Sequence, residues 1–198
     1  MRKWLILALL AVSVWWLWLR PAPPAVWSGR PAAEAPQQST ANLPAPWTRG
    51  DLTFVPLARF AARAVVLSRE RYRYDSEAAL APVDLALGWG RMSDAAVVNG
   101  LRVSQDHRWY QYAWRDDPPL PLAEIGRSSA NMHLIPADEA VRVAALAVQR
   151  HELVEFSGYL VEVRRPGGWT WRSSLSREDT GGHACELVWV ERLTHRKP

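Results

Sequence analysis

The chain has 198 residues, which allows one domain of ordinary size with appendages. Its 48% hydrophobic and 22% charged content exclude an intrinsically disordered protein. The formal net charge of +4 is uneven, because residues 47–198 hold twenty basic and nineteen acidic side chains. A domain so close to neutral lacks the basic excess of nucleic-acid-binding proteins, so no nucleic-acid partner is expected.

Residues 1–20 have the pattern of a membrane anchor. Residues 4–19 are apolar apart from Ser13, and they follow the basic pair Arg2 and Lys3. With its flanking tryptophans, a run of this length can span a bilayer as a helix. Positive charge before the run places the N-terminus in the cytoplasm. We therefore predict a single-pass signal-anchor in a bacterial inner membrane, with the C-terminal domain in the periplasm.

A cleaved signal peptide is the alternative for this segment. Small residues near 22–25 are crowded by proline, and bulky tryptophans occupy the region where a cleavable signal tapers off. The uncleaved anchor is therefore the preferred interpretation. Residues 21–46 hold seven prolines and no periodic apolar pattern, which predicts a linker before a single domain over 47–198.

The first half of that domain gives mixed signals. Arginine and tyrosine alternate around Tyr72, which predicts a strand over 62–73. Two glycines bracket Trp89, which predicts an irregular loop over 82–91. A helical turn is predicted over 76–80, and a helix capped by Ser93 or Asp94 is predicted over 94–100. Two strand pieces are predicted over 101–104 and 107–114.

The second half is clearer. A strand over 128–135 precedes a helix that Asp138 caps and that runs to about Arg150. Glycine-rich turns then separate three strands, an arrangement typical of an antiparallel meander. Gly158 lies between two apolar faces of the first of them and allows a bulge. These three strands are predicted at 153–164, 169–175 and 184–193.

Together these elements predict an α+β fold. After the N-terminal membrane helix, we expect a curved antiparallel sheet or a small OB-like barrel with one or two packing helices. Strands that bend at glycine are common in small closed barrels, which is the reason for the barrel prediction.

One candidate chemistry is nucleophilic. Cys185 needs a nearby base to act as a nucleophile, and His133 precedes it in the chain. This order resembles the cell-wall L,D-transpeptidases, but their Ser-x-Gly-Cys-x-Arg pattern is not matched at residues 182–187. Cys185 also shares the parity of two apolar residues in the last strand, which favours a buried core position. Acid–base chemistry by His133 with Asp179 is a further alternative.

A second candidate is a binding cleft. Asn131 and His133 project to the same side of a strand, and a dense polar run contains Arg177 and Asp179. In a small barrel such segments meet at one rim, where Trp89 or Trp171 would provide an apolar wall. The alternatives are that the amide and imidazole tie down a strand end, and that the polar run is a solvated hairpin loop. Because the five histidines show no metal-ligand spacing, no metal and no cofactor is predicted.

Four segments carry a resemblance to other proteins: PVDLALGWGRMSD, RWYQYAW, NMHLIPA and SSLSREDTGGHACELVWVE. They are similar to a group of uncharacterised exported or membrane-anchored bacterial proteins, over most of residues 55–193. The resemblance implies an exported or membrane-anchored location and one shared domain, and it indicates no catalytic residue. The predicted function is therefore an envelope domain that binds a partner protein or a cell-wall ligand. The alternative is an envelope enzyme that uses His133 with Cys185 or Asp179.

Overall fold

The structure, a computed structural model, describes residues 24–176, 179 and 184–198 of an α+β protein with a curved sheet. Its strands are β1 Gln37–Ser39, β2 Trp47–Arg49, β3 Leu52–Arg71, β4 Val83–Gly88, β5 Arg102–Asp106, β6 Trp109–Ala113, β7 Ser129–Pro136, β8 Leu153–Arg164, β9 Thr170–Arg172 and β10 Glu186–Arg196. Its helices are α1 Ala95–Asn99, α2 Leu122–Arg127 and α3 Glu139–Ala147, and a 3₁₀ turn spans Gly90–Ser93.

The predicted membrane helix lies outside the described residues. Within the part of the chain that is described, no helix has the length and apolar character needed to cross a bilayer. The proline-rich segment is described from residue 24, and it packs on the domain instead of standing apart from it. Ala25 and Ala32 are buried, and β1 pairs with the edge of β3.

Five strands pair in a closed circuit. β3 pairs with β4, β4 with β7, β7 with β10, β10 with β8, and β8 pairs with β3 again. All these pairings are antiparallel except that of β7 with β10, which is parallel. The twenty-residue β3 makes two of these pairings because its residues 53–65 pair with β8 and its residues 65–71 pair with β4. The β5–β6 hairpin forms a separate two-stranded sheet.

The structure corrects three sequence-based predictions. The last three strands do not form a meander, because β10 pairs with β8 and β7 and not with β9. Residues 82–91, predicted to be a loop, contain β4, whose side chains are all buried. β3 begins ten residues before the predicted strand. Alanines with weak strand preference, such as Ala58 and Ala61, concealed the missed residues 52–61.

The side chains of the strands in this circuit alternate between two apolar cores. On β8, Val154 and Leu160 face the main core, while Tyr159 and Val161 face a second core, as the sequence alternation predicted. The second core lies on the other face of the sheet and includes Leu187 of β10. That face also carries the polar residues of the candidate site.

Gly158 sits opposite a β-bulge, as its position in the sequence suggested. The pairing of β8 with β10 shifts between Val190 and Arg192, and Gly158 pairs with Val190. A Cβ atom added at Gly158 would lie 1.9 Å from the carbonyl oxygen of Trp189. Because this oxygen belongs to the backbone, a side chain here would force the two strands apart.

We therefore expect Gly158→Ala to lower the free energy of unfolding by about 1–3 kcal/mol or more, the scale of overpacking a close-packed core. Gly126→Ala is the matched control, since nothing lies within 4 Å of its Cβ position and it lies in α2. The control should be neutral or stabilising by up to about 1 kcal/mol. Urea denaturation measures both, and equal effects of the two variants would contradict the close-approach argument.

Candidate functional site

The site is built around two neighbouring strands, β4 and β7. Asp84 and His133 are direct register partners, so their side chains stand side by side. Asp84 is fully buried and His133 is 3% exposed. Nδ1 of His133 lies 2.8 Å from Oδ2 of Asp84, but its N–H direction is not aligned for a hydrogen bond. The contact is therefore chiefly electrostatic when the imidazole is protonated.

Arg108 places a permanent positive charge on the same carboxylate. Its Nη1 donates to Oδ1 of Asp84 at 3.0 Å and to the carbonyl oxygen of Ala81 at 2.9 Å. Its Nη2 donates to both carboxylate oxygens of Asp75, at 2.8 and 3.0 Å. The guanidinium thus uses its fork geometry to join the turn before β4 to β4 itself.

The β5–β6 hairpin carries Arg108 to this position through a strained turn. His107 and Arg108 form its two-residue loop and have φ angles of 48° and 68°. Two positive φ values define the type I′ turn, which usually takes asparagine or glycine. Non-glycine residues there cost about 1–2 kcal/mol each, so the contacts of Arg108 must hold the turn in place.

Tyr72 and Asn131 fix the same hairpin tip. Cζ of Arg108 lies 3.7 Å from the centre of the Tyr72 ring, and the Arg108 backbone N–H donates to the Tyr72 hydroxyl at 3.1 Å. Burial and the charge of Asp84 raise the pKa of Tyr72, so its hydroxyl stays neutral. Nδ2 of Asn131 donates to the carbonyl oxygen of Arg108 at 3.0 Å. The arginine is therefore held at both its backbone and its side chain.

Glu162 organises a second charged group nearby. It is 8% exposed and accepts hydrogen bonds from Arg164 at 2.6 Å and from Arg172 of β9. The two guanidinium groups, Arg172 foremost, lower the pKa of Glu162. The carboxylate therefore stays ionised and fixes Arg172 at the edge of the site.

These groups border a cleft of about 420 Å³. Trp171 forms a wall, with its ring centre 4.9 Å from that of His133 and 6.4 Å from that of Trp169. The two tryptophan rings meet edge to face at 72°. The remaining lining residues are Glu77, Arg108, Trp109, Thr170, Arg172 and Cys185.

A second cavity of about 490 Å³ adjoins the cleft. Trp109 and Cys185 line both spaces, so the two meet at these residues. The second cavity lies between the β5–β6 hairpin, α2 and the start of β10, where Tyr110 and Tyr112 contribute aromatic rings. Burial raises the pKa of Tyr110 to about 12.

The residues predicted from the sequence divide between these spaces. His133 and Trp171 line the cleft, Asn131 and Asp179 line the second cavity, and Cys185 lines both. Asp179 accepts a hydrogen bond from Ser174 at 2.5 Å. Two others fall elsewhere: Trp89 is buried in the main core, and Arg177 lies outside the described residues.

The sequence reasoning missed Arg108, Tyr72 and Trp169 as parts of the site. Asp84 fell within the predicted loop over 82–91, although an acidic side chain within the apolar run of residues 83–87 was a usable signal. Buried carboxylates require a partner, so this position implied a cation nearby. The turn at residues 107–108 has no glycine or asparagine, and therefore no local sequence pattern predicted the position of the hairpin tip.

Among the described residues, no three histidine, cysteine, aspartate or glutamate side chains converge as ligands for a metal ion. Comparisons of the chain with protein-family models, with curated proteins and with solved structures find no match. The site's geometry therefore carries the functional argument.

Asp84 and Asp75 allow a matched test, because both bind the guanidinium of Arg108. The Asp84 side chain is 0% exposed and that of Asp75 is 32% exposed. We expect Asp84→Asn to lower the free energy of unfolding by about 3–5 kcal/mol, since it leaves a buried cation less compensated. Asp75→Asn should cost about 1 kcal/mol or less.

Chemical denaturation of both variants measures this difference. Comparable losses for the two substitutions would contradict the central place of Asp84 in the site.

Proposed function

We propose that this protein is a membrane-anchored envelope domain that binds a cell-wall glycan in the cleft beside His133 and Trp171. Residues 1–20 would anchor it in a bacterial inner membrane, and the domain would lie in the periplasm. The observation that carries the proposal is an open cleft with tryptophan walls whose two arginines are already paired with carboxylates.

The aromatic walls favour a ligand with flat apolar faces. Trp169 and Trp171 meet at nearly a right angle, so they present two differently oriented surfaces, and Trp109 is 43% exposed beside them. Sugar rings have C–H faces that pack on indole and hydroxyl edges that bond to polar groups. His133, Thr170 and the rim of paired charges supply such polar groups around the rings.

The charge balance disfavours phosphate-rich ligands. Arg108 is neutralised by two aspartates, and Arg172 shares Glu162 with Arg164. Glu77 adds a negative charge to the lining. A groove for a nucleic-acid backbone needs cations that are free to replace counterions. Paired side chains of this kind instead offer fixed hydrogen-bonding groups to a neutral or weakly charged ligand.

The order of the barrel strands supports an OB-like interpretation of the fold. β3, β4, β7, β8 and β10 pair in the order 1-2-3-5-4, and α3 lies between the third and fourth of these strands. OB folds bind oligonucleotides and oligosaccharides on the face of strands 2 and 3 and on the loops between strands 1 and 2 and strands 4 and 5. The cleft residues Glu77, His133 and Trp171 occupy the corresponding positions. This part of the argument is an analogy of fold.

The two adjoining cavities favour an extended ligand. A chain lying in the cleft would continue past Trp109 into the second cavity, where Tyr110 and Tyr112 provide further aromatic contacts. A short linear oligosaccharide of β-1,4-linked N-acetylhexosamines has this shape. We expect affinity to rise with the length of the oligosaccharide until both cavities are filled.

Trp171→Ala should weaken the binding of such oligosaccharides by about 10- to 100-fold. The loss of one aromatic stacking surface costs about 1–3 kcal/mol in comparable grooves for stacked bases. Isothermal titration calorimetry with a length series of cell-wall-derived glycan fragments measures this effect. Trp47→Ala is the matched control, because Trp47 packs on Phe54 and Trp189 in the second core and lines neither cavity.

The control variant should bind like the unchanged protein even when its melting temperature falls. The proposed ligand would be a partner protein and not a glycan under two conditions. The unchanged protein would bind no glycan fragment, and it would stably capture an envelope protein through the same cleft. Equal losses for both tryptophan variants would show that stability, and not the cleft, determines binding.

The enzyme alternative depends on Cys185 or Asp179 acting with His133. Cys185 shares the cleft with His133, but burial and the nearby acidic groups, Glu186 first among them, raise the pKa of its thiol to about 12. A nucleophilic cysteine requires the opposite shift. Asp179 lines the second cavity and not the cleft, so it does not share a cavity with His133. The raised pKa of the Cys185 thiol and the separation of Asp179 from His133 therefore favour binding over catalysis.

We expect iodoacetamide to label Cys185 in the native protein at pH 8 at least about a hundredfold more slowly than in the urea-unfolded protein. A thiol whose pKa is about 12 forms little of the reactive thiolate at this pH. Because its pKa is raised, labelling should become faster as the pH increases towards that value. Rapid labelling of the folded protein at pH 8 would restore the nucleophile hypothesis.

A further inference from the structure

The start of the described chain is bound firmly to the domain. We call residues 24–32 the strap. The backbone N–H of Ala25 donates to Oδ1 of Asn99 at 2.7 Å, and Nδ2 of Asn99 donates back to the carbonyl oxygen of Ala25 at 2.9 Å. Farther along, Arg30 makes two hydrogen bonds of 3.0 Å to the carboxylate of Asp94.

Further contacts fix the strap between these two points. Nε1 of Trp27 donates to the carbonyl oxygen of Ser93 at 2.9 Å, and its ring contacts that of His151 edge to face. The carbonyl oxygen of Ala32 accepts a hydrogen bond from the backbone N–H of Gly90 at 2.8 Å. The strap is therefore an attached part of the domain and not a flexible spacer.

This attachment limits the distance between the domain and the membrane. The proposed span ends at Leu19, and Ala25 follows six residues later. Because an extended chain covers at most about 3.6 Å per residue, Ala25 lies within about 22 Å of the end of the span. The headgroup region occupies about 5–8 Å of this distance. A free linker over 21–46 would have allowed a separation several times greater.

We infer that the face formed by the start of the strap and the end of α1 rests on the lipid headgroups of the bilayer. Val26 is the apolar residue best placed to enter this layer, since its side chain is 86% exposed between buried Ala25 and half-buried Trp27. Arg30 and Asp94 neutralise each other, so this pair presents no net charge to the anionic headgroups. The inference rests on the proposed membrane anchor.

The orientation separates the membrane face from the glycan cleft. β5 begins three residues after Asn99 and leads to the hairpin tip at Arg108, which borders the cleft. Five strand residues cover about 17 Å. The tip of the hairpin, which borders the cleft, therefore lies about one strand length from the start of β5.

A fluorescence experiment on the full chain tests the inference. Val26→Cys, in a Cys185→Ala background, is labelled with an environment-sensitive nitrobenzoxadiazole dye and reconstituted in nanodiscs of phosphatidylethanolamine and phosphatidylglycerol. We expect blue-shifted emission and strong quenching by lipids that carry a nitroxide on the headgroup. Tyr74→Cys is the matched control, because Tyr74 is 95% exposed and adjoins Asp75, which binds Arg108 at the hairpin tip. Its dye should emit as in water and resist quenching.

Insertion of twenty glycine and serine residues between Arg20 and Pro21 should reduce the quenching at position 26 at least severalfold, because it releases the domain from the bilayer. Water-like emission at position 26 in protein that stays membrane-bound would overturn this inference and leave the anchor intact. Protein that does not fractionate with membranes would overturn the anchor and this inference together.

Discussion

A single buried carboxylate, that of Asp84, determines the arrangement of the candidate site. It lies on β4 without contact to water, so its charge must be balanced within the protein. Arg108 provides that balance from the hairpin tip, and His133 of the neighbouring strand lies 2.8 Å from the same carboxylate. Because the compensating charge must lie next to Asp84, the carboxylate fixes the position of the hairpin tip, and Arg108 at this tip lines the cleft.

The same constraint accounts for the strained turn. The hairpin adopts positive φ values at His107 and Arg108, a conformation that these residues disfavour in isolation. The contacts of Arg108 with the aspartates and with Tyr72 supply a compensating interaction. Strain held in this way at a cleft is typical of functional sites, where a fixed geometry avoids ordering costs on binding. The result is a preformed cleft whose arginines, Arg108 and Arg172, are paired with carboxylates before a ligand arrives.

The sequence predicted the individual strands better than it predicted which strands pair with one another in the sheet. Alternation on β8 identified both apolar faces, and Gly158 correctly indicated a bulge, because these signals are local. The course of β10 between β8 and β7 depends on long-range pairing, which spacing does not encode. For the site, His133 was predicted to share one cleft with Arg177 and Asp179 beside a tryptophan wall. The structure places His133 and Trp171 in one cleft and Asp179 in the second cavity. Arg108 was missed because its role arises from a turn without the usual turn residues.

A glycan-binding domain held close to the bilayer is the function that these features support together. The strap is bonded to the domain, the hairpin carries Arg108 to the cleft, and Trp169 and Trp171 form its walls. In the proposed function, the strap also limits the distance between the domain and the membrane. The most direct test is a titration of the protein with cell-wall-derived oligosaccharides, followed by NMR of its assigned tryptophan indole N–H signals. The account predicts shifts at Trp169 and Trp171 that saturate together. Unchanged signals at both, with shifts confined to other tryptophans, would contradict it.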